Sequence, residues 1–350
     1  MSEMELSQLI HRVNEILAQS VGRHRGHWIT QSDYTTTIFD EIDVLVLGGG
    51  KRLRPQFCYW GWVAAGGDPA IETPLRLGAA IELVHAMALF HDDVIDDAAT
   101  RRGQPTVHRR QSQIHEQHQL LGEARRFGEG MAILIGDVTA VIADEVVGDV
   151  DSHTRQIWND LRLEMNIGQF LDTVGSAYRD RTVSFAETVC RNKSAKYTVE
   201  RPLHLGAIAA DVSRGHNLQS MLSSYGLPLG DAFQLRDDML GAFGEEQTVG
   251  KPVGGDFKEG KPTPMLARAY EKASPAQRHV LDTVGNSNLS DHDIAAIQQI
   301  LEETGTRQEM EDIIQSLAST AVDALVKDQL AGNSYDALVA LADAVTQRSV

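Results

Sequence analysis

The chain has 350 residues, and 32 Lys and Arg set against 49 Asp and Glu leave a formal net charge of −17. That length is ample for one large domain or two modest ones, and the charge argues against a nucleic-acid partner, whose phosphates call for a basic surface. With 42% hydrophobic and 23% charged residues, the composition excludes a wholly disordered chain.

Only Cys58 and Cys190 occur, so there is no disulfide framework and no thiolate metal cluster, and a reducing compartment fits. No uncharged stretch approaches the roughly 20 apolar residues that span a bilayer. The start carries Glu3 and Glu5 and no apolar signal core, and reads as a first helix of a mature chain. A cytoplasmic protein without stable membrane insertion is expected.

Taken in chain order, Leu6, Ile10, Val13 and Leu17 form a first stripe at helical spacing. Gly66-Gly67-Asp68-Pro69 marks a turn between helices, Pro74 opens the next one, and Leu77, Ile81, Val84 and Ala88 give it an apolar face. No proline interrupts Thr106 to Arg201, which admits long helices, because an interior proline removes a helix hydrogen bond and clashes with the preceding turn. Within it, the His/Gln-rich piece from Gln111 to Gly130 reads as a polar connection with a helix starting at Gly130. Ile157, Leu161, Met165 and Gly168 give a further stripe. Gly244 to Pro264, with five glycines and three prolines, is too broken for a helix, and Gly285 to Asp291 is a turn before a helical tail. Alternating strand patterns, repeats and a clear linker are absent. One all-α domain spanning residues 1–350 is expected.

The strongest chemical signal is His91-Asp92-Asp93-Val94-Ile95-Asp96-Asp97. On a helix Asp92 and Asp96 share a face, and like charges at that spacing repel unless something positive sits between them. Hard oxygen ligands in this number suit Mg²⁺, which takes one or two carboxylates plus substrate phosphates; a solvated acidic helix end is the plainer alternative. A second pair, Asp237-Asp238, again follows an apolar run containing Leu227, Leu229 and Phe233. Two such helices facing each other across a cavity would clamp several Mg²⁺ ions around a diphosphate and neutralise it as a leaving group. Basic clusters bracket the acidic pairs: Gly48-Gly49-Gly50-Lys51-Arg52-Leu53-Arg54-Pro55, Arg101-Arg102-Gly103, and Lys193, Lys196, Lys251 and Lys261. Guanidinium forks suit phosphate, although the glycine run is not a P-loop.

The ordered segments GGGKRLRP, ELVHAMALFHDDVIDD with RRGQPT, GQFLD, KSAKYT, FQLRDDMLG and GKPVGGDFKEGKPT together resemble the trans-isoprenyl diphosphate synthases, most closely the actinobacterial geranylgeranyl type. The resemblance implies an all-α bundle of long helices around a central cavity, a homodimer, and a Mg²⁺-dependent head-to-tail condensation. Isopentenyl diphosphate would be joined to an allylic partner, namely dimethylallyl, geranyl or farnesyl diphosphate, with two or three ions in the site. By the same resemblance Asp92, Asp96 and Asp237 are the metal ligands, and Asp93 and Asp238 support them. Lys51, Arg54, His85 and Arg102 would hold isopentenyl diphosphate, and Arg101, Lys193, Lys251 and Lys261 the allylic diphosphate. Gln169, Asp172, Ser194 and Gln234 would line the reaction centre. One departure is clear: Gly241 stands where the second motif usually has its third aspartate.

Product length should follow from what blocks the growing tail. A helix rises about 5.4 Å per turn, comparable to one isoprene unit, so the turns before Asp92 act as a ruler: Met87 and Ala88, then Val84, then Ile81 and Ala80. Bulky aromatics are common at the first turn of short-chain members of this family. Met87 and Ala88 are smaller, so a C20 product is expected, with C15 the alternative because Met fills space flexibly. Two other readings are a class I terpene cyclase, which would need a different second metal motif, and a non-catalytic partner subunit, which would be expected to lose its acidic motifs.

Overall fold

Where proline is absent and apolar residues recur every three or four positions, the chain winds into helices. The computed structural model describes residues 4–244 and 253–346; Lys251 lies outside them. In order come α1 (Leu6–Trp28), a 3₁₀ turn (Asp33–Thr35), α2 (Thr36–Leu47), α3 (Leu53–Ala64), α4 (Thr73–Ile95), β1 (Thr100–Arg101), β2 (Gln104–Pro105), α5 (Val107–Gln117), α6 (Ala124–Val147) and α7 (Ser152–Tyr178). There follow α8 (Val183–Cys190), a π-helical stretch (Arg191–Glu200), α9 (Arg201–Ala210), α10 (Val212–Phe243), α11 (Gly255–Glu259), α12 (Pro264–Lys272), α13 (Pro275–Leu281), α14 (Asp291–Glu303), α15 (Thr306–Asp323), a 3₁₀ turn (Lys327–Gln329) and α16 (Ser334–Thr346). The all-α expectation holds, with one two-stranded antiparallel pair added.

The chain divides into two compact units: residues 1–158, 202–218 and 330–334, and residues 159–201, 219–329 and 335–350. In the first, α4 is the central element and packs against α1, α3 and α6, with α5 laid on α6. Leu77, Ala80, Ile81 and Val84 of α4 are wholly buried. By length and apolar content α4 would also suffice to cross a membrane, but most of its apolar window is buried inside the protein. In the second unit, Leu235, Met239, Phe257, Met265, Leu266, Ile297, Leu301 and Met310 belong to one continuous core. Helices α13 and α14 are started there by capping boxes from Ser274 with Gln277 and Ser290 with Asp293.

Several local expectations need correction. The buried row of α1 is Leu9, Val13, Leu17 and Val21, while Leu6 is 54% exposed; the expected stripe shares only Val13 and Leu17 with the row that faces the core. The stretch from Gln111 to Gly130 is helical at both ends: α5 reaches Gln117, and α6 begins at Ala124 rather than Gly130. Its Gln, Glu and Arg residues are good helix formers whose polarity reflects exposure rather than irregular backbone. Helix α10 continues through Pro228. Within Gly244 to Pro264, the described part contains the short helix α11.

Candidate active site

The first carboxylate set ends α4. The Asp96 amide, at the helix C-cap, donates to the Asp92 carbonyl at 2.8 Å, so the two aspartates stand one turn apart. Between them Asp93 turns inward and is 4% exposed. Arg101 meets it with Nε at 2.8 Å and Nη2 at 2.6 Å from Oδ1, and reaches Asp92 Oδ2 at 3.5 Å. Burial works against the charge on Arg101, but the Asp93 hydrogen bond and the Asp93, Asp92 and Asp96 carboxylates outweigh it and raise its pKa. The arginine is presented by the β1–β2 hairpin, where Arg101 pairs with Gln104. Its two-residue turn is Arg102-Gly103, both with positive φ (52° and 72°), as the twist of a tight hairpin demands.

Two turns upstream of Asp92, His85 is pushed well below its ordinary pKa by burial and by Arg54, Arg101, Arg102 and Arg52. Arg102 is itself lowered by burial and by its arginine neighbours. An imidazole whose charge is opposed by several arginines, which also oppose one another's charge, is an environment suited to a polyanion. Lys51 is exposed and Arg54 partly buried beside it. The junction between Lys51 and Arg54 of α3 is pinned by a residue not singled out in the sequence: Arg52, in left-handed backbone (φ 48°) and 6% exposed. Its guanidinium bonds Glu82 at 2.6 Å, Asn14 at 3.0 Å and the Val46 carbonyl. A buried Arg–Glu pair such as this is a question of arrangement more than of net stability.

The second set lies on α7, the π-helical stretch, α10 and α11. Lys193 bonds Asp172, which is 5% exposed, at 2.5 Å. Gln234 donates to Asp238 Oδ1 at 2.8 Å. Asp238 is buried and its pKa is raised well above the usual carboxylate range by burial, with Asp256, Asp237 and Asp172 adding to the rise and the Gln234 bond opposing it. Asp237, by contrast, is exposed. Gln169 Nε2 is buried without a hydrogen-bond partner among the described residues, a donor at a position expected to meet substrate. Ser194 is partly buried. Lys261 pairs with Glu259 at 2.8 Å and lies 4.0 Å from Asp256. Lys196 is engaged elsewhere: with Arg201 it grips Glu164 at 2.6–2.9 Å, so it is set apart from the diphosphate cations grouped with it in the sequence. Arg236, within the second motif, is held by Glu311 at 2.5 and 2.6 Å and by the Thr346 carbonyl at 3.1 Å.

The π-helical stretch carries Lys193 and Ser194 and is seated on glycines. A Cβ at Gly168 would come 2.2 Å from Lys193 N, at Gly230 2.5 Å from Ala195 O, and at Gly226 2.8 Å from Glu200 Cα. Side-chain-free positions on α7 and α10 therefore admit this wider backbone, a form that recurs at functional sites. Of the ruler positions, Met87 and Val84 are buried and Ala88 partly so.

Residues 36–303 match the family model described as polyprenyl synthetase. A crystal structure of geranylgeranyl pyrophosphate synthase from Corynebacterium glutamicum, complexed with isoprenyl diphosphate and magnesium, superposes with a TM-score of 0.90 at 34% identity, covering 99% of this chain and 100% of that one. A geranylgeranyl diphosphate synthase of Mycobacterium tuberculosis is 32% identical over 276 residues, 77% of this chain and 70% of the relative. A (2E,6E)-farnesyl diphosphate synthase of Mycobacterium bovis is 30% identical over 267 residues, 74% of this chain and 68% of the relative. The chain belongs to the polyprenyl synthetase family, whose members are trans-prenyltransferases.

Proposed function

We propose that this trans-prenyl diphosphate synthase condenses isopentenyl diphosphate with allylic diphosphates up to farnesyl diphosphate and releases geranylgeranyl diphosphate. The observation that carries this reading is His85, buried and with its pKa depressed by burial and by neighbours that include Arg54 and Arg102, two turns before the Asp92–Asp96 turn. A terpene cyclase would have no use for a second diphosphate cradle of that kind. We take residues 1–350 as one catalytic domain.

The carboxylates fit magnesium. Asp92 and Asp96 offer hard oxygen donors one turn apart. Mg²⁺ asks for that arrangement, since it shares its shell with substrate phosphates and water. Asp92, Asp96 and Asp237 would hold two or three ions, which when bound neutralise the charge growing on the leaving diphosphate. Lys51, Arg54, His85 and Arg102 bind isopentenyl diphosphate, with His85 donating a ring N–H to a phosphate oxygen. Arg101, oriented by Asp93, binds the allylic diphosphate together with Lys193, Lys261 and Lys251. The allylic carbon–oxygen bond breaks, the isopentenyl double bond supplies the electrons of the new carbon–carbon bond, and the adjacent carbon loses a proton. The departed diphosphate, close by and basic, accepts that proton. Gln169, Asp172, Ser194 and Gln234 hold the reacting groups in register.

The C20 product is supported by Met87 and Ala88, neither of which is aromatic, and by the geranylgeranyl relatives; the farnesyl relative marks C15 as the competing outcome. A homodimer is supported by α6, whose outer face leaves Ile133, Leu134 and Val141 at 44%, 60% and 60% exposure. The deciding experiment incubates the purified chain with isopentenyl diphosphate and each of the C5, C10 and C15 primers, then sizes the alcohols after phosphatase treatment. Geranylgeraniol from all three is expected. Hydrocarbon released without phosphatase would identify a cyclase, and no turnover a non-catalytic subunit.

A further inference from the structure

His108 is the second residue of α5 and is 2% exposed, yet neither of its ring nitrogens has a hydrogen-bond partner among the described residues. A buried polar group left in that way is uncommon and costly. The backbone that carries the ring is fixed. The His108 carbonyl accepts from Ser112 Oγ at 2.8 Å, and Gly128 of α6 packs so closely that a Cβ there would collide with that carbonyl. Burial and Arg109 lower the pKa of His108, opposed by Asp93, Asp97 and Glu129, so at neutral pH the ring carries one N–H. Two of those carboxylates are engaged: Arg101 holds Asp93 and Arg125 holds Glu129, at 2.8 and 2.6 Å. The third, Asp97, has its Oδ1 3.8 Å from His108 Nε2, just beyond hydrogen-bond reach.

Asp97 directly follows Asp96 and stands in left-handed backbone (φ 51°), a conformation that a residue with a side chain adopts at a cost. The start of α5 grips the chain there. Arg109 Nη2 reaches Asp97 Oδ1 at 2.8 Å and the Asp97 carbonyl at 3.2 Å, and Thr106 Oγ1 donates to the Ala98 carbonyl at 2.8 Å. Asp96 and Asp97 share a rigid peptide plane, so whatever holds Asp97 limits how Asp96 can turn. We propose that His108 is a positioning residue for the magnesium-binding turn: its Nε2–H closes onto Asp97 when Asp92 and Asp96 take up the metal-bound diphosphate, and this holds Asp96 in its ligating pose. The unpaired ring is then a donor kept for the loaded state, since metal ligands are commonly oriented by such outer hydrogen bonds. This deepens the proposed function and rests on Asp96 being a magnesium ligand.

The test titrates Mg²⁺ against full-length protein in the presence of inorganic pyrophosphate. It follows the rise in melting temperature and, in parallel, Mn²⁺ binding by electron paramagnetic resonance. His108→Leu is expected to raise the half-saturating Mg²⁺ concentration about tenfold, and His108→Gln, which restores a donor near the place of Nε2, to stay within about threefold of the wild type. Without metal, His108→Leu should melt no lower than the wild type, because an apolar side chain replaces a polar one that lacks a partner; a purely structural histidine would show the reverse. Asp97→Gly suits the left-handed backbone but removes the acceptor. It should match His108→Leu, and the double variant should be no worse than either single one. With nitrogen-15 in the histidine rings of the wild type, a protected N–H resonance of His108 should appear on adding Mg²⁺ and pyrophosphate and be missing in Asp97→Gly, a reading that needs no histidine variant to fold. The role of His108 is wrong, and Asp96 keeps its own, if His108→Leu titrates like the wild type while Asp96→Asn does not. It is equally wrong if the two single losses multiply in the double variant, or if the resonance ignores the metal. If Asp96→Asn leaves the titration unmoved, the magnesium role of the turn itself falls.

Discussion

His85 shows how one side chain reports its surroundings. Burial and four arginines hold its folded pKa well below the ordinary 6.5, so between that depressed value and 6.5 the unfolded chain binds the proton and the folded chain does not. Its contribution to stability is therefore complete above about pH 6.5 and is lost as the pH falls through the folded value. Melting temperatures of His85→Gln and wild type, measured from pH 7.5 downward, should diverge accordingly, with a shallower acid decline in the variant. The flattening will be partial, because His108, buried and likewise lowered, keeps its own share. Met87 belongs to the same helix and to specificity. Met87→Phe places a rigid ring one turn before Asp92 and should shift the main product from C20 to C15, read from the chain length of the extracted alcohols. An unchanged product would mean that the tail does not run along this face of α4. Both residues were legible because motif spacing put them on one helix with Asp92. Arg52 and Glu82 were not, since their pairing across 30 positions leaves no local pattern.

At the scale of elements, the sequence declares what periodicity and proline can declare. Helix α4 and its aspartate turn, the turn before Pro74 and the helical tail all carry such signals. The β1–β2 hairpin does not, because two residues per strand are too few to alternate and its turn is Arg-Gly rather than Asn-Gly. The π-helical stretch is silent as well: nothing local in RNKSAKYTVE marks it, and the room it needs is left by Gly168, Gly226 and Gly230 on other helices. That dependence is testable. In Gly230→Ala the new methyl meets Ala195 backbone atoms at 2.5–2.8 Å, and backbone cannot rotate away. A loss of about 3 kcal/mol in urea denaturation is expected. Turnover should drop further than the unfolded fraction explains, because Lys193 and Ser194 ride on the displaced stretch.

For the whole molecule, the acidic balance that excludes nucleic acid conceals local cationic ground, since arginines gather around His85 within a chain of net charge −17. Its outer surface carries a second message in the apolar row of α6. If that row is a dimer face, Leu134→Glu combined with Val141→Glu should yield monomers by light scattering with unchanged helical circular dichroism; persistence of the dimer would place the interface elsewhere. The C-terminal helices, uninformative as sequence, hold the second motif through the bidentate Glu311–Arg236 pair and the Thr346 carbonyl. Finally, the glycine seats beneath residues 191–200 govern how this enzyme can be recombined with its relatives. A chimera that imports the lysine-bearing segment alone would set foreign backbone on native notches. Crossovers placed before Gly168 and after Gly230 would let segment and notches travel together as one inheritable block.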